Sequence, residues 1–136
     1  MAKKTLTFCL MDPPFENART TTALRLIDLA VKRGHDVNVF AYEGAVALPF
    51  ARQAPHANTV HGRDAEEENH PLTKEWVQAL FKAAEETGSK IDWVNCGLCV
   101  DERGVHETIP GIRRGTPGDF LKFSEVSDNT LVIPTK

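Results

Sequence analysis

The stretch ALRLIDLAVKRGHDVNVFAY, residues 23–42, carries two periodicities in succession. In its first half Ala23, Leu24, Ile27, Ala30 and Val31 recur at helical spacing, with Arg25, Asp28 and Lys32 on a polar stripe. Asp28 precedes Lys32 by four, the favourable order for a helical ion pair. The pattern predicts a helix over Ala18–Arg33, stopped at Gly34. His35-Asp36 then leads into Val37–Tyr42, a run too short for a helix and rich in strand formers. A helix feeding a buried strand is half of a β-α-β unit, so the segment before it decides the fold class.

That segment is Thr5–Leu10 (TLTFCL), short, apolar and closed by Pro13-Pro14, which predicts a buried strand. Outward on the other side the alternation continues. Glu43–Arg52 is expected as a short helix. Thr73 is expected to cap a helix in which Val77, Leu80, Phe81 and Ala84 stand at i, i+3, i+4 and i+7. Gly88 ends it, and Ile91–Asn95 forms the next strand. A short helical turn over Gly97–Arg103 follows, and a minor strand is expected near Ile112–Arg114. Thr116-Pro117-Gly118-Asp119 has the cap, the first-turn proline and the acid of a helix start, with Phe120, Leu121, Phe123 and Val126 as its apolar face. Asn129–Ile133 is the last strand. Strands alternating with crossover-length connections predict a single α/β domain over 1–136, a three-layer sandwich on a mostly parallel sheet of about five strands. The polar segment Pro55–Pro71, with Asp64, Glu66, Glu67 and Glu68, is expected as an exposed loop insertion.

The composition is that of an ordinary globular chain: 136 residues, 41% hydrophobic, 26% charged, net charge −3. This charge gives no footprint for nucleic acid, and no basic amphipathic helix addresses a membrane surface. Lys3-Lys4 precede only a short apolar run that meets Asp12-Pro13-Pro14, unlike a signal peptide, so a cytoplasmic location is expected. In a reducing compartment three cysteines are not a disulfide framework.

Ligands of open α/β sheets gather at the carboxyl ends of the strands. Met11–Asn17, Glu43-Gly44 and Cys96-Gly97-Leu98-Cys99 all arrive there. Cys96 falls at a strand-to-helix junction, where unpaired N–H groups favour a thiolate. Its competing reading is a structural cysteine at a strand end. Cys99, one turn on, reads as a candidate second thiol or as core packing, and Cys9 as a buried small hydrophobe. Arg103 is either a supporting cation or an exposed partner of Asp101 or Glu102. Arg113 and Arg114 read as surface charge, with an anion perch as the alternative. A metal site is not expected: a structural zinc needs four ligands, and His35, His56, His61, His70 and His106 lack i, i+4 pairing. Neither GxGxxG nor a P-loop follows the first strand, so no nucleotide cofactor is expected.

Taken together, TLTFCLMDPPF, ALRLIDLAVKRGHDVNVFAYEGA and the spacing Cys96-x6-Arg103-Gly104 resemble the DsrE/DsrF/TusD-like sulfur-relay proteins over nearly the whole chain. The resemblance implies a sulfur carrier or sulfurtransferase whose Cys96 takes sulfane sulfur as a persulfide and passes it to an acceptor thiol. It implies persulfidated donor and acceptor proteins as partners, and a homotrimer or hexamer. By position Cys96 inherits the sulfur-bearing role and Cys99 does not. Gly97, Arg103 and Asn95 stand as supporting residues. A neighbouring thiol would attack a persulfide, so either Cys99 points into the core, out of reach, which is the expectation, or the pair works as a dithiol that discharges sulfur reductively. The alternatives are a thioredoxin-like dithiol oxidoreductase using both cysteines, and a non-catalytic binding subunit on the same scaffold.

Overall fold

A computed structural model describes residues 2–135. In chain order the elements are β1 (Thr5–Leu10), α1 (Ala18–Lys32), β2 (Asp36–Ala41), α2 (Thr73–Thr87), β3 (Ile91–Cys96), α3 (Gly97–Arg103), β4 (Ile112–Gly115), α4 (Pro117–Val126) and β5 (Asn129–Ile133). The five strands form one sheet in the order β4-β3-β2-β1-β5, and every pairing is parallel. The chain therefore steps outward from β1 to β4, then crosses back to place β5 beyond β1. Right-handed crossovers put the helices of the outward run on one face and α4, on the return, on the other. This is the expected α/β sandwich, and the minor strand at Ile112 is a full member of the sheet.

Local sequence accounts for most of these elements. Asn17 caps α1 by accepting from the Arg19 N–H at 2.8 Å, and Lys32 reaches Asp28 at 2.6 Å. Thr116 and Asp119 form the expected capping box of α4, with Pro117 in its first turn. Trp93, Phe40, Leu24, Ile27 and Leu80 are fully buried at the centre of the core.

Three expectations are corrected. Thr73 does not cap α2. The cap position is Leu72, and the orphan N–H groups go to Glu75 (from Leu72 N, 3.3 Å) and to the distant Gln53 (from Lys74 N, 3.0 Å). Thr73 instead donates to the Leu48 carbonyl at 2.9 Å. The expected helix at Glu43–Arg52 is only a 3-10 turn over Glu43–Ala47, because the chain then pairs with Glu107–Ile109 through Ala51 N and Pro49 O.

The third correction concerns α4. Phe120 stacks on Phe40 at 5.7 Å and Phe123 is buried, but Leu121 and Val126 are 62% and 71% exposed. Phe120, Phe123 and Ser127 share one stripe at i, i+3 and i+7, whereas Leu121 and Val126 flank it on opposite sides. Arg113, whose pair with Asp92 at 2.7 Å is half exposed, lies over the Phe123 ring. Such a pair contributes at most about 1 kcal/mol. Burying Phe123 contributes about 1.5–3 kcal/mol, so apolar contact is what seats α4.

Residues 55–71 carry one 3-10 turn, Thr59–His61, and are exposed apart from Asn58 and Glu68. Among the described residues no helix is long and apolar enough to cross a membrane.

Candidate functional site

The carboxyl ends of β1 and β2 open onto a cleft of about 680 Å³, walled by Asp12, Asn17, Tyr42, Glu43 and Arg103 among others. Of the three segments expected to converge, Met11–Asn17 and Glu43-Gly44 line it, and Cys96-Gly97-Leu98-Cys99 does not. Neither Cys96 nor Cys99 is among the described residues lining this cleft, and Cys99 sits behind its wall against the Glu43 N–H.

Cys96 ends β3 and occupies the cap position of α3 with extended backbone, and it is only 3% exposed. Gly97 follows, and the reason for a glycine is steric. A Cβ there would meet the Arg114 guanidinium at 2.6 Å from Nε and 2.8 Å from Cζ. Arg114 thus lies directly on the backbone after Cys96. It arrives by register, because β4 runs beside β3 with Arg114 level with Asn95 and Gly115 level with Cys96. The guanidinium is held by a two-pronged pair with Asp101, at 2.9 and 2.6 Å, and His106 contacts the same carboxylate at 3.1 Å. These donors, Arg114 before His106, depress the Asp101 carboxyl to about 2. Asp101 in turn raises the Arg114 pKa, with Cys96 as a minor contributor.

Cys99 is buried as expected, at 6% exposure. Its sulfur accepts from the Glu43 N–H at 3.2 Å. Burial, reinforced by the neighbouring Cys96 thiol and opposed by the Glu43 N–H, pushes Cys99 up to about 11. Glu43 adopts φ 52°, the left-handed region that non-glycine residues avoid. Arg103 fixes it there by binding the Glu43 carboxylate at 3.1 Å and the Cys99 carbonyl at 3.3 Å. The expected partner Glu102 lies farther, at 3.7 Å, and Asp101 is taken by Arg114. Tyr42 completes the surround; its phenol is raised above the ordinary value by the Glu43 carboxylate first, then by Cys99.

Asn95 is spent on structure: it accepts from the Trp93 indole N–H at 3.1 Å and donates to the Val46 carbonyl at 3.1 Å. Arg113 is likewise occupied by Asp92. Cys9, buried in β1, is pushed up to about 11 by burial alone. Arg114 and Tyr42 are the residues that sequence reasoning did not bring to the cysteine. The signal for Arg114 was the weak strand at Ile112, since a parallel neighbour of β3 necessarily sets one of its residues level with Asn95. Among the described residues no three His, Cys, Asp or Glu side chains gather closely enough to hold a metal.

A fully parallel five-stranded sandwich with a cysteine closing its third strand defines a class of small α/β domain. Within that class the chain belongs to the DsrE/DsrF-like family, whose model matches residues 4–133; the family is related to sulfur relay. An uncharacterized protein of Methanocaldococcus jannaschii is 28% identical over 129 residues, covering 93% of this chain and 97% of its own. The crystal structure of the ychN protein from E. coli superposes with a TM-score of 0.70 at 16% identity, covering 95% of this chain and 98% of the other. A conserved protein of unknown function from Bacteroides thetaiotaomicron gives 0.58 at 16% identity, over 96% and 95% of the two chains. At these identities the two structures speak for the fold.

Proposed function

We propose that the protein is a cytoplasmic sulfur carrier or sulfurtransferase in which Cys96 accepts sulfane sulfur as a persulfide and hands it to an acceptor thiol. The observation that carries this reading is the contact of the Arg114 guanidinium with the backbone at Gly97, one residue from the cysteine. It sets a guanidinium, itself paired with Asp101, against the backbone that follows the cysteine. The seven-residue α3 adds only the partial charge of its first turn. Transfer needs a sulfur nucleophile, a sulfane donor and an exchange of one S–S bond for another, with no redox cofactor.

Because Cys96 is buried, loading requires a small sulfane carrier or displacement of the side chains around it. The partners under this reading are persulfidated donor and acceptor proteins. Leu121, Val126 and Val132 are exposed on the face that α4 only partly covers, which supports assembly as a trimer or hexamer. The test is mass spectrometry of the reduced protein after exposure to a persulfidated donor. Wild type is expected to gain one sulfur on Cys96, and equal gain by Cys96→Ser would refute the assignment.

A further inference from the structure

We infer that Cys99 is a built-in discharging thiol: it attacks a persulfide on Cys96, closes a Cys96–Cys99 disulfide and releases sulfide. The inference rests on Cys96 being the sulfur acceptor and adds an activity to it, reductive release of the cargo timed by the protein itself.

The geometry around Cys99 has no role in simple packing. A packed cysteine needs only apolar neighbours. This one is met by a backbone N–H donated from a residue in the left-handed region, at 3.2 Å. Arg103 clamps both partners of that contact, the Glu43 carboxylate and the Cys99 carbonyl, so the donor stays aimed at the sulfur. A donor aimed at sulfur favours its anion, the species that attacks a disulfide-type bond. The target lies at the cap of the same helix, three residues before Cys99. A disulfide needs Cβ atoms roughly 3.5–4.5 Å apart, and the extended backbone of Cys96 at the cap, next to the first turn that carries Cys99, leaves one flexible joint through which the two can close.

The step balances without an external oxidant. The Cys99 thiolate donates an electron pair to the Cys96 sulfur and the new S–S bond forms. The bond between Cys96 and its sulfane sulfur breaks, and that sulfur leaves as hydrosulfide. The sulfane atom is reduced, the two cysteine sulfurs are oxidised, and the proton lost by Cys99 passes to solvent. A dithiol reductant then restores the pair for another round.

Burial sets the timing. With Cys99 held near 11, its thiolate is scarce at neutral pH, which leaves the persulfide time to meet an acceptor. Besides burial, Cys96 and Glu43 set this balance, and the other titratable and charged groups around the pair are Tyr42, Glu102, Arg103 and Arg114.

The experiment loads the full, reduced chain anaerobically with inorganic polysulfide, removes the excess, and follows intact mass and free sulfide at pH 7 and pH 9. Wild type is expected to gain one sulfur, then lose it as sulfide in step with a Cys96–Cys99 disulfide mapped on peptides. The outer sulfur must carry a proton to leave as hydrosulfide, so the gain in Cys99 thiolate from pH 7 to pH 9 is offset by loss of that proton and the rate is expected to change little between them. Cys99→Ser is expected to keep its persulfide at both pH values. Loading followed by loss at the same rate in both proteins, or sulfide release from wild type without the mapped disulfide, overturns the discharge role alone. No sulfur gained by either protein overturns the acceptor reading and this inference with it. The disulfide-to-sulfide ratio in wild type decides the matter even where the variant folds poorly.

Discussion

Arg114 rests on the bare backbone of Gly97, in space that any Cβ at that position would occupy. A cation from β4 and the glycine that opens α3 thereby meet one residue from Cys96.

Gly97→Ala is expected to push the guanidinium off its seat. The displaced group is the end of a flexible side chain, so the melting temperature should change little while alkylation of Cys96 slows several-fold. An equal loss in both would mean that the glycine serves packing alone.

Removing the charge should act in the same direction. Arg114→Gln is expected to slow Cys96 alkylation at fixed pH, and Arg114→Lys to restore part of the rate, since Lys keeps the charge and loses the two-pronged grip. The wild-type rate should fall with added salt, because the pair is exposed.

The Arg114–Asp101 pair also predicts an acid signature. The Asp101 carboxyl lies near 2 in the fold against an ordinary value of 3.8. Its folded-state value is depressed, so its contribution is complete above about pH 4 and is lost as pH falls toward 2. The stability difference between wild type and Asp101→Asn should be constant from pH 5 to 8 and shrink below pH 4, as read by urea midpoints.

Gln53 is the remote cap of α2. Its amide donates to the Ala47 and Leu48 carbonyls at 2.8 and 2.9 Å, and its oxygen accepts from Lys74 N. Gln53→Ala should cost about 1–3 kcal/mol in urea denaturation with the m value unchanged. A loss below half of that would show that water replaces these bonds.

Thiol counting separates the three cysteines. Burial holds Cys9 and Cys99 near 11, so neither should react with an aromatic disulfide reagent at pH 8 in the native chain. At most one thiol, Cys96, is expected to titrate, and all three after unfolding in guanidinium.

The order of elements was legible because Leu24, Ile27 and Val31 repeat at helical spacing and β1, β2 and β3 are short apolar runs, signals that need no tertiary context. Boundaries failed where tertiary partners override local pattern. Thr73 looks like a cap but spends its hydroxyl on Leu48, and Glu43–Arg52 loses its helix to pairing with Glu107–Ile109. Cys96 and Cys99 stood out as a pair, and the burial of Cys99 was expected, but the near-complete burial of Cys96 was not legible from its place at a strand end. Arg114 did not stand out, because its closeness to Cys96 depends on strand register, and a four-residue edge strand leaves almost no periodicity to read.

The register of β4 against β3 also bears on transplanting the site. A peptide spanning residues 93–105 contains both cysteines and Arg103, yet it leaves behind the Glu43 amide and the Arg114 guanidinium. Those two groups come from opposite neighbours of β3 and meet the cysteines only when β2, β3 and β4 are assembled. The excised peptide should therefore behave as an ordinary dithiol, and the chemistry of this pair is a property of the sheet rather than of the motif.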